Sequence, residues 1–158
     1  MALHYVGRFG TTRARLRAYL ARKVKERGWS GETGPAIDPI VEHMARLGYV
    51  DDAAFAAARA AAMQRRGYGQ RRINQALAAA GITGDERDKI GESGAQAALA
   101  AALRFAQRRK IGPYAVEKAD KAARERALAA MVRAGHPIDI VRMVVNAEPG
   151  DVPDQDGI

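Results

Sequence analysis

Alanine occupies 34 of the 158 positions, against 41 for all the other apolar types together. No other feature limits the fold so strongly. Ala, Leu, Arg and Lys favour helix, whereas the β-branched and aromatic residues that suit a pleated sheet are sparse beside them. The chain is expected to be all-α, with small side chains at many helix contacts and axes toward the short end of the usual ~8–10 Å. Its length allows one domain, or a few small units sharing a core. There is no cysteine, which excludes disulfides, thiolate zinc sites and cysteine nucleophiles, and suits a reducing compartment.

Capping residues and glycines divide the chain into helices. Thr11 or Thr12 can cap a helix with Leu16, Tyr19, Leu20 and Val24 on one stripe, ending near Gly28. After a loop with Gly31, Gly34 and Pro35, Asp38-Pro39 reads as N-cap and first residue of a helix. That helix carries Ile40, Val41, Met44 and Leu47 and closes at Gly48. Asp51 or Asp52 opens the next, Phe55 to Arg66, which stops at Gly67. From Gln70 to Ala80 a short helix aligns Ile73, Ala76, Leu77 and Ala80 before Gly81. The polar stretch from Gly84 to Gly94 supports at most a short, weakly anchored helix. Residues 95–110 place Leu99, Ala102, Leu103 and Ala106 on a stripe that Gly112-Pro113 breaks. A helix capped near Asp120 runs to Ala134 and stops at Gly135, and Pro137 opens a last one with Ile138, Val141, Val144 and Val145. Residues 149–158 have the composition of a disordered acidic tail.

The helices repeat. Ile73, Leu77 and Gly81 have the same spacing as Ala127, Met131 and Gly135. Upstream of each lies an alanine-rich helix that ends in paired basic residues followed by a glycine-containing turn: Arg65-Arg66-Gly67-Tyr68-Gly69 and Arg108-Arg109-Lys110-Ile111-Gly112-Pro113-Tyr114. The pattern predicts an elongated tandem of three three-helix repeats, 1–50, 51–94 and 95–148, stacked in series.

The formal net charge is +8, and it is concentrated in islands. Residues 1–30 hold eight basic side chains against Glu26 alone, while 63–82 and 95–112 each hold four against none. Arg71 and Arg72 lie in the first turn of a helix, where the dipole disfavours cations. With Arg65 and Arg66 they surround Tyr68, and such a knot of guanidinium groups favours a carboxylate-rich or phosphate-bearing partner. Tyr68 could stack on a base, fill a partner's pocket, or fold back on its own helix. Arg108, Arg109, Lys110 and Tyr114 repeat the arrangement. Arg13, Arg15 and their basic neighbours on the first helix could track a backbone or simply be solvated.

Chemistry-bearing patterns are missing. His4, His43 and His136 stand in three separate segments, without the i, i+4 pairing of a zinc helix. There is no phosphate loop and no glycine fingerprint after a strand. The adjacent carboxylates Asp51 and Asp52 are explained by a helix cap. The sequence therefore reads as a non-enzyme with no metal and no cofactor. Its uncharged stretches are short, 11 residues from Ser93 to Leu103 and 12 from Ile73 to Gly84, too few for the ~20 that span a bilayer. Arg8 and Arg13 interrupt any signal-peptide core, so the expectation is a cytoplasmic protein with no membrane partner.

Tyr49-Val50-Asp51-Asp52-Ala53-Ala54-Phe55-Ala56, then Arg65 to Ile73, then Leu77 to Gly81-Ile82, resemble the central block of the RecX family, regulators of the RecA recombinase. Arg108 to Tyr114 followed by Arg124 to Gly135 is similar to that family's C-terminal repeat. The resemblance extends over roughly residues 3–145. It implies a helical, non-enzymatic monomer that lodges in the groove of the RecA–DNA filament and inhibits ATP hydrolysis and strand exchange. Such a protein acts in homologous recombination, DNA repair and the SOS response. It assigns partner contact to Arg13, Arg15, Arg65, Arg66, Tyr68, Arg71, Arg72, Arg108, Arg109, Lys110 and Tyr114, and leaves direct contact with single- or double-stranded DNA open. It gives the framework to Asp51, Asp52, Phe55, Gly67, Gly69, Ile73, Leu77, Gly81, Gly112 and Gly135. The residues alone admit two rivals. One is a helix-turn-helix transcriptional regulator reading base edges with Gln70, Arg71 and Asn74. The other is a helical adaptor whose charge only aids solubility.

Overall fold

A computed structural model describes residues 1–7, 10–88 and 94–153. Among these residues every regular element is helical: α1 (Ala2–Val6), α2 (Arg13–Arg27), α3 (Ile37–Arg46), α4 (Asp52–Arg65), α5 (Gln70–Ala78), α6 (Gly84–Asp88), α7 (Ala95–Arg109), a 3-10 turn (Gly112–Tyr114), α8 (Lys121–Arg133) and α9 (Ile138–Asn146). The expected fold class holds. No helix among the described residues is long and apolar enough to cross a membrane.

The helix ends follow the capping residues. Thr12 caps α2 by accepting the Arg15 N–H, and Asp120 caps α8 by accepting the Ala123 N–H. Several C-termini close in one way, with the residue after the left-handed position donating back to a carbonyl five residues earlier. Tyr49 donates to Met44, Tyr68 to Met63, Ile82 to Leu77, Ile111 to Ala106 and His136 to Met131. Glycine holds the left-handed position each time except after α7, where Lys110 adopts it at φ +54°.

Two local expectations are corrected, and the choice between Asp51 and Asp52 as cap of α4 is resolved. Ala36, not Asp38, precedes α3, so Asp38 and Pro39 lie in its first turn and Asp38 pairs with Arg17. Val41 and Met44 enter the core, but Ile40 and Leu47 stay exposed, because α3 buries a narrower face than its apolar content suggests. Asp51 caps α4 through the Ala54 N–H, whereas the buried Asp52 accepts the N–H of Arg13 and so caps α2 instead. Helix α1 has no counterpart in the sequence reading. The polar stretch after Gly84 contains the short α6, with no buried residue, and the rest of it up to 93 lies outside the described residues. Of the acidic tail, Gly150 donates to the Pro113 carbonyl, and 154–158 lie outside the described residues.

The chain divides into two compact units. The first comprises Met1–Arg59 and Leu77–Ile90. Its core packs Leu16 and Leu20 of α2 on Val41 and Met44 of α3, with Val50, while Tyr5 of α1 stacks on Tyr19 at 4.1 Å. The head of α2 sits on the tail of α5: the Thr12 hydroxyl donates to the Ala80 carbonyl at 2.6 Å, and Gly81 leaves room for Ala14.

The second unit comprises Ala60–Ala76 and Gly91–Ile158. Leu99, Ala102, Leu103, Phe105 and Ala106 of α7 pack with Met131 of α8 and Ile140, Val141, Val144 and Val145 of α9. Here the head of α5 sits on the tail of α8. Gly69 donates to the Ala134 carbonyl at 2.9 Å, and Gly135, at φ +92°, leaves room for the Arg72 backbone. Each unit thus contains the same junction, a helix head on a glycine-terminated helix tail. Opposed dipole ends meet there, which is favourable.

Candidate partner-binding surface

The surface is built on the turn Gly67-Tyr68-Gly69 of the second unit. Both glycines serve close approach. A Cβ at Gly67 would lie 2.6 Å from the Phe105 nitrogen of α7, and one at Gly69 would meet the Gly135 carbonyl. The turn is therefore pressed onto α7 on one side and onto the end of α8 on the other. Gly112, in the corresponding turn after α7, approaches the Val144 carbonyl in the same manner.

This seating brings the two basic islands together around Phe105. Tyr68, half-buried, meets the Phe105 ring at 6.4 Å between centroids. The Arg66 guanidinium lies 5.9 Å from the Tyr68 ring, and that of Arg109 lies 5.5 Å from the Phe105 ring, both in cation–π range. A cleft of about 510 Å³ opens between Tyr68, Arg71, Arg72, Phe105, Arg109 and Arg133. A smaller one, about 180 Å³, lies between Arg66, Tyr68, Phe105, Arg108 and Arg109. None of these arginines makes an ion pair among the described residues. Among the described residues their charge has no ion-pair partner, and in a concave setting this suits an acidic partner.

The position of Arg71 and Arg72 at a helix head is now explained. The carbonyl end of α8 faces the head of α5, and its partial negative charge offsets the unfavourable dipole. Two candidates for base reading behave differently: the Gln70 side chain donates to Asn74 at 2.9 Å, so these two partly buried amides are turned toward each other.

The other candidate contacts do not join this cluster. Arg65 is exposed on α4 and lines neither cleft. Lys110 lines a separate cleft of about 290 Å³ with Arg124 and Arg126. Tyr114 packs against the α7–α9 core. Arg13 and Arg15 belong to the first unit, Arg13 at 3.7 Å from Glu42 and Arg15 over the Phe55 ring at 5.4 Å. Phe105 and Arg133 were not singled out in the sequence. Their signals were present: Phe105 precedes Arg108 and Arg109 by one helical turn, and Arg133 stands before a glycine stop.

His136 closes the back of the cluster. It is 5% exposed, meets the Phe105 ring edge-on at 5.6 Å, and neither ring nitrogen has a hydrogen-bond partner in good geometry among the described residues. Burial lowers its pKa to about 4, and the nearby Gly67 backbone opposes that shift only in part. The imidazole is therefore neutral at physiological pH, and the positive charge of this face comes from arginine.

Comparison with known proteins finds likenesses in sequence and in fold. Residues 51–89 match the sequence model of the second three-helix domain of RecX. The chain is 28% identical over 156 residues to the regulatory protein RecX of Myxococcus xanthus (strain DK1622), an alignment covering 94% of this chain and 83% of that one. The fold is similar to a crystal structure of a regulatory protein RecX, with a TM-score of 0.59 and 19% identity. That match covers 90% of this chain and 66% of the solved one, so the present chain spans slightly less than two thirds of the solved protein.

Proposed function

We propose that this chain, similar to RecX over residues 51–89 and in its fold, is a non-enzymatic regulator that binds the RecA–DNA filament and slows ATP hydrolysis and strand exchange. One observation carries the reading. Arg66, Arg71, Arg72, Arg108, Arg109 and Arg133 converge around Tyr68 and Phe105, with no carboxylate to neutralise them among the described residues. A face of this kind is matched to an acidic protein surface, to DNA phosphates, or to both. Binding energy spent on one conformation of the filament opposes the rearrangements of the active one.

The test is the DNA-dependent ATPase of RecA from the same organism, titrated with the purified protein. The reading expects hydrolysis to slow at stoichiometric or lower amounts; unchanged hydrolysis and unchanged filament length would contradict it. The helix-turn-helix alternative gains nothing from the Gln70–Asn74 bond, which occupies two of its three reading side chains with each other. Footprinting separates the two, because the alternative requires protection of a defined duplex site without RecA.

A further inference from the structure

A second cleft of the second unit shares Tyr68, Arg71, Val132 and Gly135 with the arginine-lined one. Its volume is also about 510 Å³, within the ~300–1,000 Å³ of ligand pockets, but its chemistry is different. Most of the wall is apolar, from Ile73, Ala98, Ala101, Val132, Pro137 and Ile138, with Gln64, Gln70 and His136 among them. The alanines of α7 create the space, since their methyl groups do not reach across to Ile138 at the head of α9. Arg71 and Arg104 also line it, and neither makes an ion pair among the described residues. An apolar hollow and a cationic one thus lie side by side, with Tyr68 and Arg71 lining both.

We propose that the apolar cleft is the anchor pocket for a partner protein segment in which a bulky apolar side chain is flanked by carboxylates. The apolar chain fills the space between α7 and the head of α9. The carboxylates meet Arg71 and Arg104 at the pocket, and Arg72, Arg109 and Arg133 in the adjoining cleft. The inference rests on the reading that this face docks a partner, and it makes the contact in this pocket polypeptide rather than nucleic acid. Phosphates could meet the arginines, but most of the wall is apolar, so a base there would leave part of its polar edge unpaired, which is costly. An apolar side chain loses nothing there, and a desolvated anchor of that kind is what typically dominates a protein interface.

Fluorescein-labelled peptides test this on the full chain by anisotropy. One is an acidic nonapeptide with a central Phe-Leu pair; the second carries Ser-Ser at the same place; the third probe is a labelled oligo-dT. The Phe-Leu peptide should bind at least about tenfold more tightly than the Ser-Ser peptide, a difference of ~1.4 kcal/mol. Ala101→Trp, which fills the pocket, should erase that preference while leaving the Ser-Ser affinity unchanged. Ala97→Trp, at an exposed position lining the same cleft, does the same job if the buried substitution disturbs folding by circular dichroism. Equal binding of the two peptides overturns the proposal, as does a preference that survives both variants. Competition by oligo-dT that the tryptophan variants abolish would assign the pocket to nucleic acid and also overturn it. The ATPase titration keeps the two readings apart. Inhibition of RecA with equal peptide binding removes only the pocket; pocket-dependent peptide binding without inhibition removes only the RecA reading.

Discussion

The backbone N–H of Gly69 donates to the carbonyl of Ala134 at 2.9 Å and ties the head of α5 to the tail of α8. The contact is possible because neither Gly69 nor Gly135 has a Cβ: one at Gly69 would strike the Gly135 carbonyl, and one at Gly135 the Arg72 nitrogen. Gly135→Ala should therefore destabilise the protein by about 2–5 kcal/mol, combining ~1–2 for left-handed backbone with ~1–3 for overpacking. Gly34→Ala, with open space around it, should stay within about 0.5 kcal/mol. Urea unfolding of both variants measures the difference, and equal midpoints would remove the junction as a source of stability.

Asp51 and Asp52 offer a second comparison, because neighbouring carboxylates serve different helices. Asp51 caps its own α4, and Asp51→Ala should cost about 1 kcal/mol. Asp52 is buried and accepts the Arg13 N–H, so Asp52→Ala leaves a donor at the head of α2 unpaired and should cost about 1–3 kcal/mol. Asp52→Asn keeps an acceptor oxygen and should recover most of that loss. Thermal unfolding of the three variants should rank Asp52→Ala lowest.

His136 gives the fold a pH dependence of known sign. Its folded pKa lies at about 4, below the ordinary 6.5, chiefly because burial disfavours the imidazolium. The unfolded chain therefore takes up a proton between pH 6.5 and 4 that the folded protein does not hold. Stability contributed by this group is complete above pH 6.5 and falls as pH drops through that window, by about 1.4 kcal/mol per unit. Denaturant unfolding at pH 7, 6 and 5 should show a steeper decline for the wild type than for His136→Leu. Parallel declines would mean that the imidazole does not resist protonation.

The converged arginines should act as a group. Arg71→Glu, Arg72→Glu and Arg109→Glu combined should abolish RecA inhibition with the helical circular dichroism spectrum unchanged, since all three lie on one cleft and their guanidinium groups make no ion pair among the described residues. Arg65→Glu alone should have little effect, because Arg65 lines neither cleft of the cluster. Inhibition that survives the triple reversal would move the docking surface elsewhere.

Helix ends were the most legible part of the sequence. Gly48, Gly67, Gly81 and Gly135 each take a positive φ where a helix stops, and glycine is the residue that does so without steric cost. Helix α1 was not legible, because it is five residues long and has neither a side-chain cap nor a buried residue. The start of α3 was misplaced because Asp-Pro can stand anywhere in a first turn, where the missing N–H costs nothing. The islands at 65–72 and 108–110 were visible as charge. Their meeting around Phe105 was not, since it depends on the Gly67 turn seating on α7, a tertiary contact that no local pattern encodes. The assignment of Asp52 to a distant helix was hidden for the same reason.

The proposed function requires the arginine face around Tyr68 and Phe105 to dock on the RecA–DNA filament. An electron cryo-microscopy image of the protein on its own RecA filament tests it most directly. Density that places Arg71, Arg72, Arg109 and Arg133 against the filament is expected. A filament-bound protein with that cleft open to solvent would contradict it.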